Sequence, residues 1–274
     1  MGADFTAQWI EEIYRNHRIT CYAQYKKEYE KLTMPFPPRE LPEQLILDLN
    51  NFLKKNDFIE LYSSYSWDND TYANGFPGIL RLEAQLIKSD MDRGISLKDV
   101  RDVANWGKLR NPRQIAGNDI VLPRNTLHTN NGSPPEILRL QPMGPVCTLE
   151  ENITKGIGPT YLSKVLRFGL GQEYGALDSR CVRVFGKGDS HTQKQNWLTI
   201  RIRNDGYGWY IPKTQATWPS SYGIWIDILR FFSNKLPHSC PHPQEFVGAG
   251  LRLRNVWTCA DVEMALFTYA SQFI

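Results

Sequence analysis

A mainly α-helical chain with one small β-hairpin is the fold class the sequence predicts. Three observations lead there. Apolar residues recur at helical spacing over long stretches. Proline and glycine punctuate those stretches where helices would start and stop. Strand-like alternation is confined to Ile200 to Ile211, around the turn signal Asn204-Asp205-Gly206.

The elements follow in order. Residues 4–31 carry Trp9, Ile13, Tyr14, Tyr22, Tyr25 and Tyr29 at helical intervals. Pro35, Pro37, Pro38 and Pro42 end that pattern, and a new helix is expected from Glu43 to about Lys55. Residues 63–78 are rich in Ser, Asp, Asn and Gly and read as loop, with helices following at 79–92 and 97–106. Residues 107–135 are polar and turn-rich, with Asn111-Pro112, Asn118-Asp119 and Asn130-Asn131-Gly132. The main internal boundary is placed there, giving an N-terminal helical subdomain (1–133) and a second subdomain (134–274). Helical patterns resume after Pro135, and residues 219–234 and 259–273 read as amphipathic helices.

The chain has 274 residues, 41% hydrophobic and 22% charged, which is globular composition. Its formal charge of +3 excludes a binder saturated with positive charge, though not one basic face. The sequence contains no apolar run long enough to span a membrane, and its first residues do not read as a signal peptide. Met-Gly-x-x-x-Thr is only a nominal myristoylation start. Five scattered cysteines, an odd number, suit reduced thiols and a cytoplasmic protein. His238, Cys240, His242 and Cys259 are the one cluster of metal-ligand types, but the stretch is Pro-rich and reads as a loop, so no metal is expected.

Residues 149–186 are the informative segment. A helix-like stretch ends at Lys155, Gly156-Ile157-Gly158 follows, and a helix opens at Pro159 with Tyr161, Leu162, Val165, Leu166 and Phe168 on its apolar side. The glycines permit a tight turn and close backbone approach, and Ile157 between them can pin the turn to the core. A helix start beyond such a turn suits a phosphate. Further on, Leu177-Asp178-Ser179-Arg180 puts an acid at the opening of another helix. The simpler reading of Asp178 is a helix N-cap.

This arrangement resembles the helix-hairpin-helix DNA glycosylases, over about residues 135–235. The resemblance implies their fold, a hairpin gripping DNA phosphate, often with a monovalent cation, and no further cofactor. It also implies an Asp that stabilises the sugar cation as the base leaves; Asp178 matches. The phosphate-binding set would be Lys155, Gly156, Ile157, Gly158, Thr160, Arg180 and Arg183. Trp218-Pro219 to Phe232 looks like the late helix of 8-oxoguanine glycosylases, which lines the base pocket. On that match Asp227 reads the base edge and Phe231 stacks on it, with Phe168, Tyr222 and Trp225 nearby. The similarity is closest to bacterial proteins of the 8-oxoguanine-glycosylase fold, one kind of which excises glucosylated hydroxymethylcytosine from phage DNA.

There are departures. Bifunctional members carry a nucleophilic Lys where this chain has Thr160. Lys164 lies one turn later, on the same face, and could reach the pocket. The expectation is therefore a monofunctional glycosylase, a monomer acting on double-stranded DNA with a bulky modified cytosine. 8-Oxoguanine repair and a non-enzymatic DNA-binding module are the alternatives. Residues 155–187 hold six basic side chains (Lys155, Lys164, Arg167, Arg180, Arg183, Lys187) against Glu173 and Asp178, a local +4 expected to face DNA. Tyr207 to Tyr210, beside the turn, are the aromatics expected to be exposed. Asn105, Trp106, Lys108 or Arg110 is expected to plug the gap left by a flipped base.

Overall fold

The computed structural model describes residues 35–274. The helix expected over 4–31 lies outside the described residues. Within them the chain is mainly helical, as the sequence predicts, and holds four two-stranded antiparallel sheets rather than one hairpin.

Helix α1 (Glu43–Lys55) follows Pro42, with Glu43 in its first turn and Lys54 and Lys55 in its last, as the helix dipole favours. Leu45, Ile46, Leu49, Phe52 and Leu53 form its inward stripe. Asp57 caps α2 (Phe58–Ser63), accepting from the Ile59 and Glu60 amides. The stretch expected as loop then makes the small hairpin β1 (Ser66–Trp67) and β2 (Asp70–Thr71). Helices α3 (Pro77–Asp92) and α4 (Leu97–Trp106) lie where the periodicity puts them. Between them, β3 (Gly94–Ser96) ends at the capping box of Ser96 and Asp99.

The polar region 107–135 is not plain loop. It holds β4 (Ala116–Gly117) and β5 (Ile120–Pro123), and β5 pairs with β3. The single turn α5 (Ile137–Leu140) precedes α6 (Gly144–Asn152). The run expected to stay helical to Lys155 leaves the helix at Asn152: β6 (Ile153–Lys155) pairs with β4. The reason is Gly117, where a Cβ would meet the Asn152 carbonyl at 2.2 Å, so the strands approach closely.

Then come α7 (Pro159–Gly169), α8 (Ser179–Phe185), the expected hairpin as β7 (Arg203–Asn204) and β8 (Trp209–Tyr210), α9 (Ser220–Lys235), α10 (Gln244–Gly248) and α11 (Cys259–Ser271). α9 and α11 occupy the expected positions but are not surface amphipaths. Both are buried almost all round, polar residues included. α11 packs against α2, α8 and α9, while α7 packs against α3, α4 and α6. One cluster of buried hydrophobic residues runs from Leu41 to Ala270.

An ionic chain crosses this interior. Glu83 of α3 meets Arg167 of α7 at 2.7 Å and Arg252 at 2.7 Å, and Arg252 meets Asp261 of α11 at 3.0 Å. Buried charges need such partners, because desolvation is offset only by close pairing.

Candidate functional site

The turn before α7 builds the floor of a cleft. Gly156 has φ +87°, and a Cβ there would stand 2.7 Å from the Gln114 carbonyl. Only glycine fits that position. Gly158 differs: its φ is −119° and a Cβ would meet nothing within 4 Å. Gly158 caps α7, its carbonyl accepting from the Tyr161 and Leu162 amides, and Pro159 takes the first helical position. Ile157 is half-buried and packs against the core, as expected.

The sequence candidates Lys164 and Asp178 are brought together. Lys164 Nζ lies 3.2 Å from Asp178 Oδ2, with 7% and 10% of the two side chains exposed. α7 presents the lysine. Asp178 is also the N-cap of α8, Oδ1 accepting from the Arg180 amide at 2.9 Å. The capping role and the ion pair thus use different oxygens of one carboxylate. Burial alone would raise the Asp178 carboxyl, but the Lys164 ammonium and the Arg180 amide and charge outweigh it and hold it below its ordinary value. The segment before Asp178 is clamped from three sides. Ser163 Oγ accepts from the Leu177 amide, Trp225 Nε1 donates to the Ala176 carbonyl, and Tyr222 OH donates to the Gly175 carbonyl.

Three aromatic rings enclose the Lys164 ammonium: Trp67 at 5.1 Å, Tyr161 at 5.2 Å and Trp106 at 5.6 Å. Each is fixed in turn. Trp106 Nε1 donates to Asp70 Oδ2 at 2.6 Å, Trp67 Nε1 donates to the Trp106 carbonyl, and Tyr161 OH donates to the Gly107 carbonyl. Burial, then the charge of Asp178, pushes the Tyr161 hydroxyl up to about 12.

This pair forms the inner wall of an open cleft of about 500 Å³. Its floor is Gly158, Pro159 and Thr160; one rim is Gly107, Lys108 and Leu109, the other Trp209, Tyr210 and Ile211. The volume lies within the roughly 300–1,000 Å³ of ligand pockets. Beside the pair is a small space of about 10 Å³, lined by Tyr65, Trp67, Trp106, Lys164, Arg167, Ala176, Asp178, Glu263 and Phe267. That is about one water in size. Burial pushes the Glu263 carboxyl up to about 7, against the lowering charges of Arg167 and Lys164. Glu263 and the rings Trp67 and Tyr65 escaped sequence reasoning. Only folding places them beside Lys164, so no local pattern marks them.

The expected base pocket is not assembled at this cleft. Asp227, Phe231, Phe168, Trp225 and Tyr222 line neither cavity. Phe168, Tyr222 and Trp225 are fully buried, and the last two act on the segment before Asp178 as described. Asp227 is 2% exposed and held by Arg39, whose Nε and Nη2 both reach Oδ2 at 2.8 Å, with Arg230 3.8 Å from Oδ1.

The expected phosphate-binding cations divide likewise. Lys155 is exposed. Arg180 lines the cleft, with its guanidinium 5.5 Å from the Trp67 ring and 5.2 Å from that of Phe267. Arg183 is committed to Asp189 at 2.7 Å, and Arg167 is buried against Glu83. Part of the local +4 is therefore neutralised inside the fold. Of the residues expected to plug a gap, Trp106 lines the small space beside the pair and not the cleft, Lys108 is paired with Asp68 at 2.7 Å, and Asn105 and Arg110 are exposed.

The metal-type residues are arranged differently from the sequence cluster. Cys240, His242 and Asp261, not His238 or Cys259, bring ligand atoms within 4.8 Å of one another. Their protein partners already engage them: Arg252 Nε contacts both Asp261 oxygens, at 3.0 and 3.2 Å, and His242 Nε2 lies 2.7 Å from the Val256 carbonyl. Among the described residues, no helix is long and apolar enough to cross a membrane.

Comparison of the chain with family models, with curated proteins and with solved structures gave no match.

Proposed function

We propose that this chain is a DNA glycosylase of the helix-hairpin-helix class. It extrudes a modified base, hydrolyses its N-glycosidic bond and leaves an abasic site. The observation that carries this reading is the Lys164–Asp178 pair at 3.2 Å, buried at the inner wall of the cleft above the Gly156–Gly158 turn. In the reaction the glycosidic bond breaks with its electron pair going to the base nitrogen, which takes up a proton. The sugar becomes an oxocarbenium-like cation, and water adds to its anomeric carbon and loses a proton. A fixed carboxylate in a water-poor site stabilises that cation. Lys164 keeps Asp178 ionised for the task, which fits hydrolysis without strand scission.

The substrate class is double-stranded DNA carrying a bulky modified cytosine, such as glucosylated hydroxymethylcytosine in phage DNA. A cleft of about 500 Å³ leaves room for a substituted base. Asp227, tied to Arg39, lends this choice no support. A monovalent cation at the hairpin would need outward carbonyls there; that of Gly158 already accepts two helix amides, and no step depends on the ion.

The test is incubation with duplexes containing glucosylated hydroxymethylcytosine, hydroxymethylcytosine, 8-oxoguanine or unmodified bases, identification of released bases by mass, and alkaline strand cleavage. Release of the glucosylated base is expected, with Asp178→Asn reducing it by roughly 10²–10³-fold. No release from any duplex refutes the enzyme reading and leaves a DNA-binding module. Full activity in Asp178→Asn refutes the role of Asp178. A borohydride-trapped DNA adduct that Lys164→Ala abolishes would refute the purely hydrolytic route.

A further inference from the structure

The outer rim of the cleft carries an aromatic that the fold leaves in water. β7 and β8 pair Arg203 with Tyr210 and Asn204 with Trp209, and Tyr207 in the connecting turn is 95% exposed. The turn is held in one shape. Asn204 Oδ1 accepts from the Gly206 amide at 2.8 Å, and Asp205 Oδ1 accepts from the Tyr207 and Gly208 amides at 3.0 and 3.1 Å. Its base is anchored too: the Trp209 ring sits 4.7 Å from the Arg183 guanidinium, which Asp189 holds. The hairpin thus presents a bare ring two residues from Trp209, which lines the cleft.

The surrounding charge is basic. Between Asp189 and Asp227 the one acid is Asp205, against Lys194, Arg201, Arg203 and Lys213, of which Lys213 reaches Glu150 at 3.6 Å. Arg201 and Arg203 are both exposed and, among the described residues, in no ion pair. On the opposite rim Lys108 is tied to Asp68 and Leu109 is half-buried; Arg110 beyond them is exposed, but no exposed aromatic accompanies it.

We propose that this hairpin is a DNA-engaging arm: Tyr207 stacks into the base step vacated by the extruded nucleotide, and Arg201 and Arg203 meet the flanking phosphates. The inference rests on reading the cleft as the site of an extruded nucleotide. Stacking on an aromatic ring tolerates any base, so the arm would serve substrate binding whatever base is excised.

The test titrates the full chain into two fluorescently labelled duplexes by anisotropy. One is fully paired; the other carries a central tetrahydrofuran abasic-site analogue. The unaltered chain is expected to prefer the abasic duplex. Tyr207→Ala should weaken that complex roughly 5- to 150-fold, as expected for one lost base stack, and Tyr207→Trp should keep it. Replacing Arg201 and Arg203 together by Ala should weaken both complexes and flatten the slope of log affinity against log salt by about two. Thermal melting should be unchanged, because all three side chains are exposed. If the unaltered chain binds neither duplex, the nucleotide reading and the arm fall together. If it binds the abasic duplex and Tyr207→Ala binds it equally well, the arm alone is refuted.

Discussion

Replacing Lys164 by Met tests the site's central contact without changing its size much. The two charges are 3.2 Å apart and nearly sealed from solvent, with side-chain exposures of 7% and 10%, so water screens them little. At an effective dielectric of about 20, two unit charges at that separation attract by about 5 kcal/mol. Removing one partner of a buried pair costs about 3–5 kcal/mol, chiefly because the other charge is stranded. Lys164→Met should therefore lose about 3–5 kcal/mol in urea unfolding at neutral pH, as a lower midpoint with an unchanged slope. The sign of the pH dependence is a sharper check. In the unaltered chain the Asp178 carboxyl is held below its ordinary value, so its stabilisation is present above the unfolded pKa and lost as pH falls through the folded one. In the variant only the Arg180 amide and charge still oppose burial, so the folded pKa moves up and less stability is lost in acid. The stability gap between the two proteins should shrink steadily from pH 7 to pH 4. A gap below about 1 kcal/mol at neutral pH, or one that does not narrow in acid, would refute a strongly coupled buried pair.

Other tests follow from the same geometry. Because the Glu263 carboxyl is raised, from 4.5 to about 7, the folded state holds a proton that the unfolded state has lost across that window. Stability should fall there by roughly 1.4 kcal/mol per pH unit from this one group, and urea midpoints of Glu263→Gln should lack that slope. The two glycines of the turn should separate. Gly156→Ala forces a side chain onto φ +87° and against the Gln114 carbonyl, and should cost at least about 1–3 kcal/mol. Gly158→Ala meets open space and should melt like the unaltered chain, so a loss of DNA affinity there would report on the phosphate-facing surface alone.

Local pattern carried much of the fold. α1 and α4 have the bounds that periodicity and caps predict, and the hairpin forms at its Asn-Asp-Gly turn. What escaped was non-local. β3 and β5 are too short to show alternation and exist only because each finds the other across the intervening helix. β6 reads as helix in sequence because the glycine that admits its partner lies at 117, far upstream. Asp178 and Lys164 were legible because both sit on the motif. The Trp67 and Trp106 rings were not legible as its enclosure, since aromatic spacing does not say which face meets a distant lysine. Asp227 illustrates the opposite error: its partner Arg39 is distant in sequence, so local inspection could suggest only a surface acid or a base-reading one.

The same point governs the charge argument. A formal +3 hides a local +4 around the turn, and the structure then divides that +4 again. Arg167 and Arg183 are spent on Glu83 and Asp189, so they brace the scaffold rather than offer themselves to phosphate. Lys164 is spent on Asp178, where its charge, with the Arg180 contacts, holds the carboxyl below its ordinary value against burial. Cations left facing water lie on the β7–β8 side, at Arg201 and Arg203, as well as at the turn, where Lys155 is exposed. An electrostatic grip on DNA would then be distributed over both sides of the cleft. Binding should stay salt-dependent even when the turn's own Lys155 is removed, because phosphate contacts add and no single lysine carries the slope.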